Sequence, residues 1–230
     1  MPQGTVQLVQ LLRFLGMTLP PSWSVRQHKR KAADRLAWAV LLIALANNPN
    51  IACADPPPHA QNLALPQLMA TMQSVHTAAA HFIERKFEQL LSQPLQSSGT
   101  LTFTAPDRLQ KQTLAPAPSK LTVEGDRLTI VQPDGMTRTL SLSEVPELGA
   151  LVASIRATLA GDGATLTRYY TPTLTGSASD WSLTLNPKDS RLRDLLTSIR
   201  IQGEGNTIRS IDTMERDGDR TEMTVTPDPG

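Results

Sequence analysis

Residues 98–109 read SGTLTFTAPDRL. Leu101 and Phe103 alternate with Thr100, Thr102 and Thr104, so apolar side chains point one way and hydroxyls the other. This is a half-buried strand, ended by the turn chemistry of Ala105-Pro106-Asp107. Upstream, residues 82–91 form a long strand. Downstream, short runs at 109–114, 120–124, 127–132 and 136–142 repeat the pattern. They are separated by Glu124-Gly125-Asp126 and Pro133-Asp134-Gly135, turns in which glycine takes positive φ. Connections this short make neighbouring strands antiparallel.

Two stretches change period. In 65–80, Leu65, Leu68, Met69, Met72, Val75 and His76 recur at helical spacing, with Pro66 in the first turn. In 145–160, Val145, Leu148, Leu151, Val152, Ile155 and Leu159 make a second apolar stripe. Ser143 is its expected N-cap, Pro146 falls in the first turn, and Gly161 stops it. Strands then resume at 165–171, 180–186, 197–202, 207–216 and 219–226, with Asp217-Gly218 as a hairpin turn. No run of strand–helix–strand units appears, which excludes a doubly wound parallel sheet. The expected class is mainly β (α+β): a curved antiparallel sheet forming an unclosed half-barrel of eleven strands, with helices as a lid over its concave face.

Composition narrows the function. The chain has 230 residues, 40% apolar and 19% charged, so it can build a core and is not a disordered polymer. Its net charge of +1 and 4% aromatic content argue against nucleic-acid binding. A single cysteine excludes an intramolecular disulfide, a thiolate zinc site and an iron–sulfur cluster.

These averages combine two unlike parts. Arg26, Lys29, Arg30, Lys31 and Arg35 precede eleven uncharged apolar residues at 36–46 (LAWAVLLIALA), followed by Ala52-Cys53-Ala54. Positive segment, apolar segment and small-residue site are the layout of an export signal. An eleven-residue helix is about 16 Å long, half of a hydrocarbon core, so cleavage after Ala54 is favoured over a permanent anchor. Residues 1–25 make the signal long, and Met17 is an alternative start. Cys53 belongs to the cleavage site; Ala52 also suits a lipidation signal, but Asn50 does not. The expected divisions are 1–54 extension and signal, 55–64 proline-rich leader, and 65–230 working domain. The domain beyond Ala54 has a net charge of about −4.

Catalytic signatures are lacking. There is no G-x-S-x-G, P-loop or H-E-x-x-H pattern. His76 and His81 are five apart and read as capping or partly buried groups. Gly161-Asp162-Gly163 and Asp217-Gly218-Asp219 read as turns, and Asp189 and Asp194 as solvated surface. No metal, cofactor or catalytic residue is expected, and the protein is read as a non-enzyme.

The order of elements resembles the LolA-like family of periplasmic outer-membrane lipoprotein carriers. Phe82-Ile83-Glu84 sits where that family has Phe-x-Gln. Residues 98–109 resemble its G-x-L strand and proline turn, and 183–188 (LTLNPK) its L-x-P-K. Residues 199–202, 206–211 and 217–225 follow like its last three strands. The resemblance implies an eleven-stranded half-barrel whose helical lid covers an apolar cavity for acyl chains. Where the family carries an Arg before the turn proline, this chain has Ala105, and Arg108 is the candidate lid latch. Gln110 and Lys111 stand where an aromatic usually follows. The chain therefore reads as a divergent member.

Its expected ligand-binding residues are Leu68, Met69, Met72, Phe82, Leu101, Phe103, Leu121, Val123, Leu148, Val152, Ile155, Leu183 and Leu185. The expected role is a monomeric periplasmic carrier, without nucleic-acid partners, shuttling an acylated lipoprotein, lipid or glycolipid from an inner-membrane donor to an outer-membrane acceptor. The rival readings are a non-catalytic envelope scaffold with a sealed core, and an enzyme acting on a lipid or glycan.

Overall fold

The computed structural model describes residues 63–228. The readings of 1–54 as an export signal, and most of the 55–64 leader, lie outside the described residues.

The strands are β1 (Thr77–Phe87), β2 (Leu95–Thr104), β3 (Arg108–Ala115), β4 (Ser119–Glu124), β5 (Arg127–Val131), β6 (Thr137–Ser141), β7 (Tyr170–Ser177), β8 (Asp180–Pro187), β9 (Leu196–Glu204), β10 (Thr207–Glu215) and β11 (Arg220–Pro227). The helices are α1 (Leu65–Met72), α2 (Pro146–Leu159), α3 (Gly163–Tyr169) and α4 (Ser190–Leu195). All eleven strands form one sheet in the order β6-β5-β4-β3-β2-β1-β11-β10-β9-β8-β7. Every pairing is antiparallel, and β6 and β7 remain edges, so the half-barrel is unclosed as expected. The first strand lies in the middle because β11 returns to pair with it, Phe82 opposite Val225 and Glu84 opposite Met223.

Two apolar clusters hold the helices on this sheet. The larger joins Leu68, Met69 and Met72 of α1 and Leu166 of α3 to Trp181, Leu183 and Leu185 of β8 and to Ile199 and Ile201 of β9. The smaller joins Leu148 and Val152 of α2 to Leu121, Val123, Leu128 and Ile130 of β4 and β5. Ala150, Leu151 and Ala157 of α2 belong to the larger cluster. One helix thus contributes to both halves of the sheet, burying two adjacent stripes where a surface helix buries one.

The helix expected over 65–80 stops at Met72. From Thr77 the chain is extended, and the strand expected at 82–91 starts earlier and ends at Phe87. Ladders to both β2 and β11 compete for this segment and win over its helical spacing. The strand expected at 165–171 is instead α3 followed by β7. Asp162 caps α3 by accepting from the Thr165 amide at 3.0 Å, and hydrogen bonds from the Thr165 side chain and then its amide hold the carboxyl below the usual range. Leu166 and Tyr170, four apart, both enter the core. The six-residue α4 was not expected; Asp189, exposed as anticipated, caps it through the Arg191 amide. Ser143 does not cap α2, whose N-cap is Val145. Its amide and hydroxyl bond Asp126 in the β4–β5 turn, fixing the one-turn 3-10 helix Leu142–Glu144 before α2. His76 and His81 are both exposed, and His81 faces Asp228 at 2.7 Å.

Gly161 lies between α2 and α3 and packs against the end of α1, where its carbonyl accepts from the Gln73 side chain at 3.2 Å. Its φ is +67°, and a Cβ there would stand 2.1 Å from the Met69 carbonyl oxygen. Both strain and backbone contact oppose any side chain. Gly161→Ala is expected to destabilise the fold by about 2 kcal/mol or more, read by denaturant unfolding. Burial pushes the Tyr170 phenol up to about 12, opposed by a smaller effect of Ser154. The unfolded phenol ionises near its ordinary value of 10.0, so the folded state loses stability as pH rises between that value and about 12. Tyr170→Phe should remove that component, visible as a shallower alkaline fall in melting temperature.

Candidate functional site

Directly opposed residues of antiparallel strands share a face. Leu121, Lys111, Leu101 and Ala80 are opposed in series across β4, β3, β2 and β1. Ile201, Ile211, Met223 and Glu84 are opposed in series across β9, β10, β11 and β1. Leu121 and Ile201 pack in the helix-bearing clusters, so both rows lie on the covered, inner face.

The residues expected to bind ligand divide accordingly. Leu68, Met69, Met72, Leu183 and Leu185 lie in the larger cluster. Leu121, Val123, Leu148 and Val152 lie in the smaller one. Phe82 and Phe103 are buried on the same inner face, while Leu101 and Ile155 are half-buried. Between the clusters, the inner face of β2, β1 and β11 presents the half-buried side chains Leu101, Val225 and Met223 around Phe82. These three side chains belong to neither packed cluster.

Its lower edge is charged. Glu84 follows Ala80 and Phe82 along the inward alternation of β1 and is only 8% exposed. Lys111 of β3 reaches it, Nζ to Oε2 2.6 Å, and Ser97 donates to its other oxygen at 3.2 Å. The same ammonium lies 5.0 Å from the Phe82 ring centroid, in cation–π range. Lys86, one step further along β1, is also buried and faces Glu88 at 3.5 Å and Glu215 at 3.9 Å. The sequence reading missed this pair, although extending the alternation of Ala80 and Phe82 by two positions points Glu84 inward.

Arg108 stands on β3, 4.0 Å from Glu124 of β4, with both side chains well exposed. The arginine that ties a helix to the sheet is Arg156. From α2 it donates to the Gly125 carbonyl at 2.8 Å and lies 3.4 Å from the Asp107 carboxylate. These acceptors sit in the β4–β5 and β2–β3 turns, so one guanidinium links the covering helix to two turns of the sheet. Its sequence signal was a lone cation beside Ile155 in an apolar stripe.

One acidic group among the described residues is compact enough to share a cation. The carboxylates of Glu215, Asp217 and Asp219 lie within 4.8 Å of one another in the β10–β11 hairpin. Lys86 already stands beside Glu215, and the Gln89 amide donates to Asp219 at 2.9 Å. The segment is a hairpin turn, as read from Asp217-Gly218.

With this geometry in view, the pattern of the outer membrane lipoprotein carrier protein LolA-like family matches residues 58–226. No curated protein matches the chain by sequence. Similar solved structures include a LolA superfamily protein from Nitrosomonas europaea, at 11% identity over 71% of this chain and 92% of that one, TM-score 0.40. A putative outer membrane lipoprotein-sorting protein domain from Vibrio parahaemolyticus is similar at 9% identity over 72% and 92%, TM-score 0.40. MucB of Pseudomonas aeruginosa, in complex with MucA, is similar at 12% identity over 72% and 58%, TM-score 0.38.

Removing one partner of a buried ion pair strands the other charge. Glu84→Ala is therefore expected to destabilise by roughly 3 kcal/mol, and the double change Glu84→Leu with Lys111→Met to recover most of that loss. Urea unfolding of the two variants distinguishes these outcomes: equal loss in both would mean that packing, not charge, is what matters here.

Proposed function

Since this chain belongs to the LolA-like family of outer membrane lipoprotein carrier proteins, we propose that it binds acyl chains against the inner face of its half-barrel and carries them across the aqueous envelope space. The family supports a lipoprotein-binding envelope role in general. The observation that carries the proposal is the strip of Leu101, Met223 and Val225, apolar and half-buried between two fully packed clusters. An acyl chain laid there needs the least rearrangement. Each methylene removed from water is worth about 0.8 kcal/mol, so such cargo does not cross water unshielded.

On this reading residues 1–54 export the protein, with cleavage after Ala54, and residues 65–230 act in the periplasm as a monomer without catalysis. The cargo is an acylated lipoprotein, lipid or glycolipid, received from an inner-membrane donor and released to an outer-membrane acceptor. The wider set of expected ligand-binding residues, Leu68 to Leu185, contacts cargo only when the helices shift.

The tight packing of that wider set favours one rival. Leu183, Leu185 and Val123 have no exposed surface. A scaffold with a sealed core, tethering envelope proteins, requires such packing and no cargo.

Native mass spectrometry of protein recovered from its host separates the two. The carrier reading expects co-purified acyl lipid. It also expects a fluorescent fatty-acyl probe to bind, with the uncharged polar changes Leu101→Asn or Met223→Gln weakening it at least about tenfold while the melting temperature moves little. Met69, 4% exposed, is a poor target because its substitution tests folding. Absence of lipid together with probe binding indifferent to both changes leaves the sealed scaffold. N-terminal sequencing of the exported protein is expected to begin at Asp55.

A further inference from the structure

Apart from Ile83 on the outer face of β1, the large apolar side chains left exposed are Leu90, Leu91, Leu95, Leu114, Met136 and Met214. In an antiparallel meander alternate turns lie at the same end. The β1–β2, β3–β4, β5–β6 and β10–β11 connections and the α4 crossing between β8 and β9 therefore share one rim. Leu90 and Leu91 are in the β1–β2 loop, Leu95 opens β2, Leu114 closes β3, Met136 is in the β5–β6 turn and Met214 is near the end of β10. All six are on that rim. The opposite rim, with the β2–β3, β4–β5, β7–β8 and β9–β10 turns, has no exposed large apolar residue among the described residues.

The apolar tip is held in place. Leu91 donates to the Glu88 carbonyl at 2.9 Å, closing the turn. Gln89 donates from its amide to the Asp219 carboxylate at 2.9 Å and from its side chain to the Asp217 carbonyl, fastening the loop to the neighbouring hairpin. Leu90, 86% exposed, is thus presented to solvent by a pinned turn. Leu90, Leu91 and Leu95 share the β1–β2 connection and the first residue of β2, and large apolar side chains exposed together in this way mark an interaction surface.

Charge selects the partner. Arg191 and Arg193 of α4 and Arg216 of the β10–β11 hairpin are exposed on the same rim, and the Arg216 amide bonds the Leu195 carbonyl, joining the two segments. Of the acids on this rim, Glu215 and Asp219 are buried, Glu88 faces Lys86, and Asp217 accepts from the Asp219 amide. Asp134 in the β5–β6 turn, Asp189 at the α4 cap and Asp194 remain exposed, against exposed Lys188, Arg191, Arg193, Arg216 and Arg220. The surface offered outward is leucine and methionine flanked by guanidinium, on a domain whose overall charge is negative. We propose that this rim docks the protein on an anionic lipid bilayer, with Leu90 and Leu91 entering the interfacial layer and the arginines meeting headgroup phosphates. No described helix is long and apolar enough to cross a membrane, and peripheral docking of this kind needs none. The proposal does not rest on the acyl-carrier reading.

The test is co-sedimentation with vesicles, using protein purified from its host with the N-terminus it has there. Every variant is prepared in the same way, so any contribution of residues 36–46 cancels. Vesicles containing phosphatidylglycerol should retain the protein, with weaker retention by pure phosphatidylcholine and at high salt. Leu90→Glu with Leu91→Glu should reduce partitioning about tenfold or more, and Arg191→Glu with Arg193→Glu should remove the preference for phosphatidylglycerol. Both pairs are exposed, so an unchanged melting temperature and unchanged acyl-probe binding would confirm that folding and the inner face are intact. Equal binding by wild type and the Leu90/Leu91 variant overturns the proposal. So does vesicle-independent dimerisation of the wild type that the same double change abolishes, which would make the rim a contact between copies of this chain.

Discussion

The antiparallel pairing of Thr77–Phe87 with Arg220–Pro227 is the constraint on which the other features rest. It joins strands from opposite ends of the described chain, and loop-closure cost grows only slowly with the length enclosed. Its topological effect is large. Two meanders, β1 to β6 and β7 to β11, become one sheet with the first strand at the centre and β6 and β7 as distant edges. The chain leaving β6 must therefore travel from one edge of the sheet to the other before starting β7. The segment that makes this journey is α2 and α3, and the inner face is the apolar surface available to pack it. The covering helices follow from the strand order as much as from their own amphipathic stripes.

That crossing explains why cover is uneven. α2 places Leu148 and Val152 over β4 and β5, and Ala150, Leu151 and Ala157 toward the cluster built on β8 and β9. The strands between, β2, β1 and β11, receive less, and there the inner face holds Leu101, Val225 and Met223 half-buried beside the Glu84–Lys111 pair. An ion pair in such a place adds little net stability, because desolvation offsets the attraction. It does keep the floor of the strip polar at one end, so the apolar and charged parts of the inner face are laid out in sequence along β1.

The strands were legible because their information is local. The alternation of Leu101 and Phe103 with threonines, and the turns at Gly125, Gly135 and Gly218, are fixed within a few residues, and these glycines do take positive φ. The misread segments are those whose conformation is decided by distant partners. The alanines at 78–80 fit a helix until β2 and β11 claim them, and Val75 and His76 fall in the turn that leads into β1. Thr165 and Thr167 favour strands by side-chain type, yet Asp162 and the burial of Leu166 make that segment helical. The candidate site was legible in the same proportion. Periodicity chose apolar inward positions, but it could not rank them by cover, which depends on where α2 crosses. It also passed over Glu84, Lys111 and Arg156, whose importance lies in partners 27 and 31 residues away in sequence.

Uneven cover also sets which way the lid would yield in a carrier. The larger cluster binds α1, α3 and α4 with β8 and β9, and Trp181 and Leu183 within it are essentially without exposed surface. The smaller cluster rests on α2 and Leu142 of the preceding 3-10 turn against β4 and β5, reinforced at one end by Arg156 on the Gly125 carbonyl and Asp107. Hydrogen bonds of that kind, with charge on one partner, contribute about 1.5–3 kcal/mol. An acyl chain of about fourteen methylenes gains about 11 kcal/mol on leaving water. Cargo therefore offsets the loss of the Arg156 contacts and of several side-chain contacts under α2, whereas prising open the larger cluster would expose much more apolar surface. Opening on the β4–β5 side, with α2 turning about its attachment to the larger cluster, is the route of least cost, and it widens the strip that is already half-exposed.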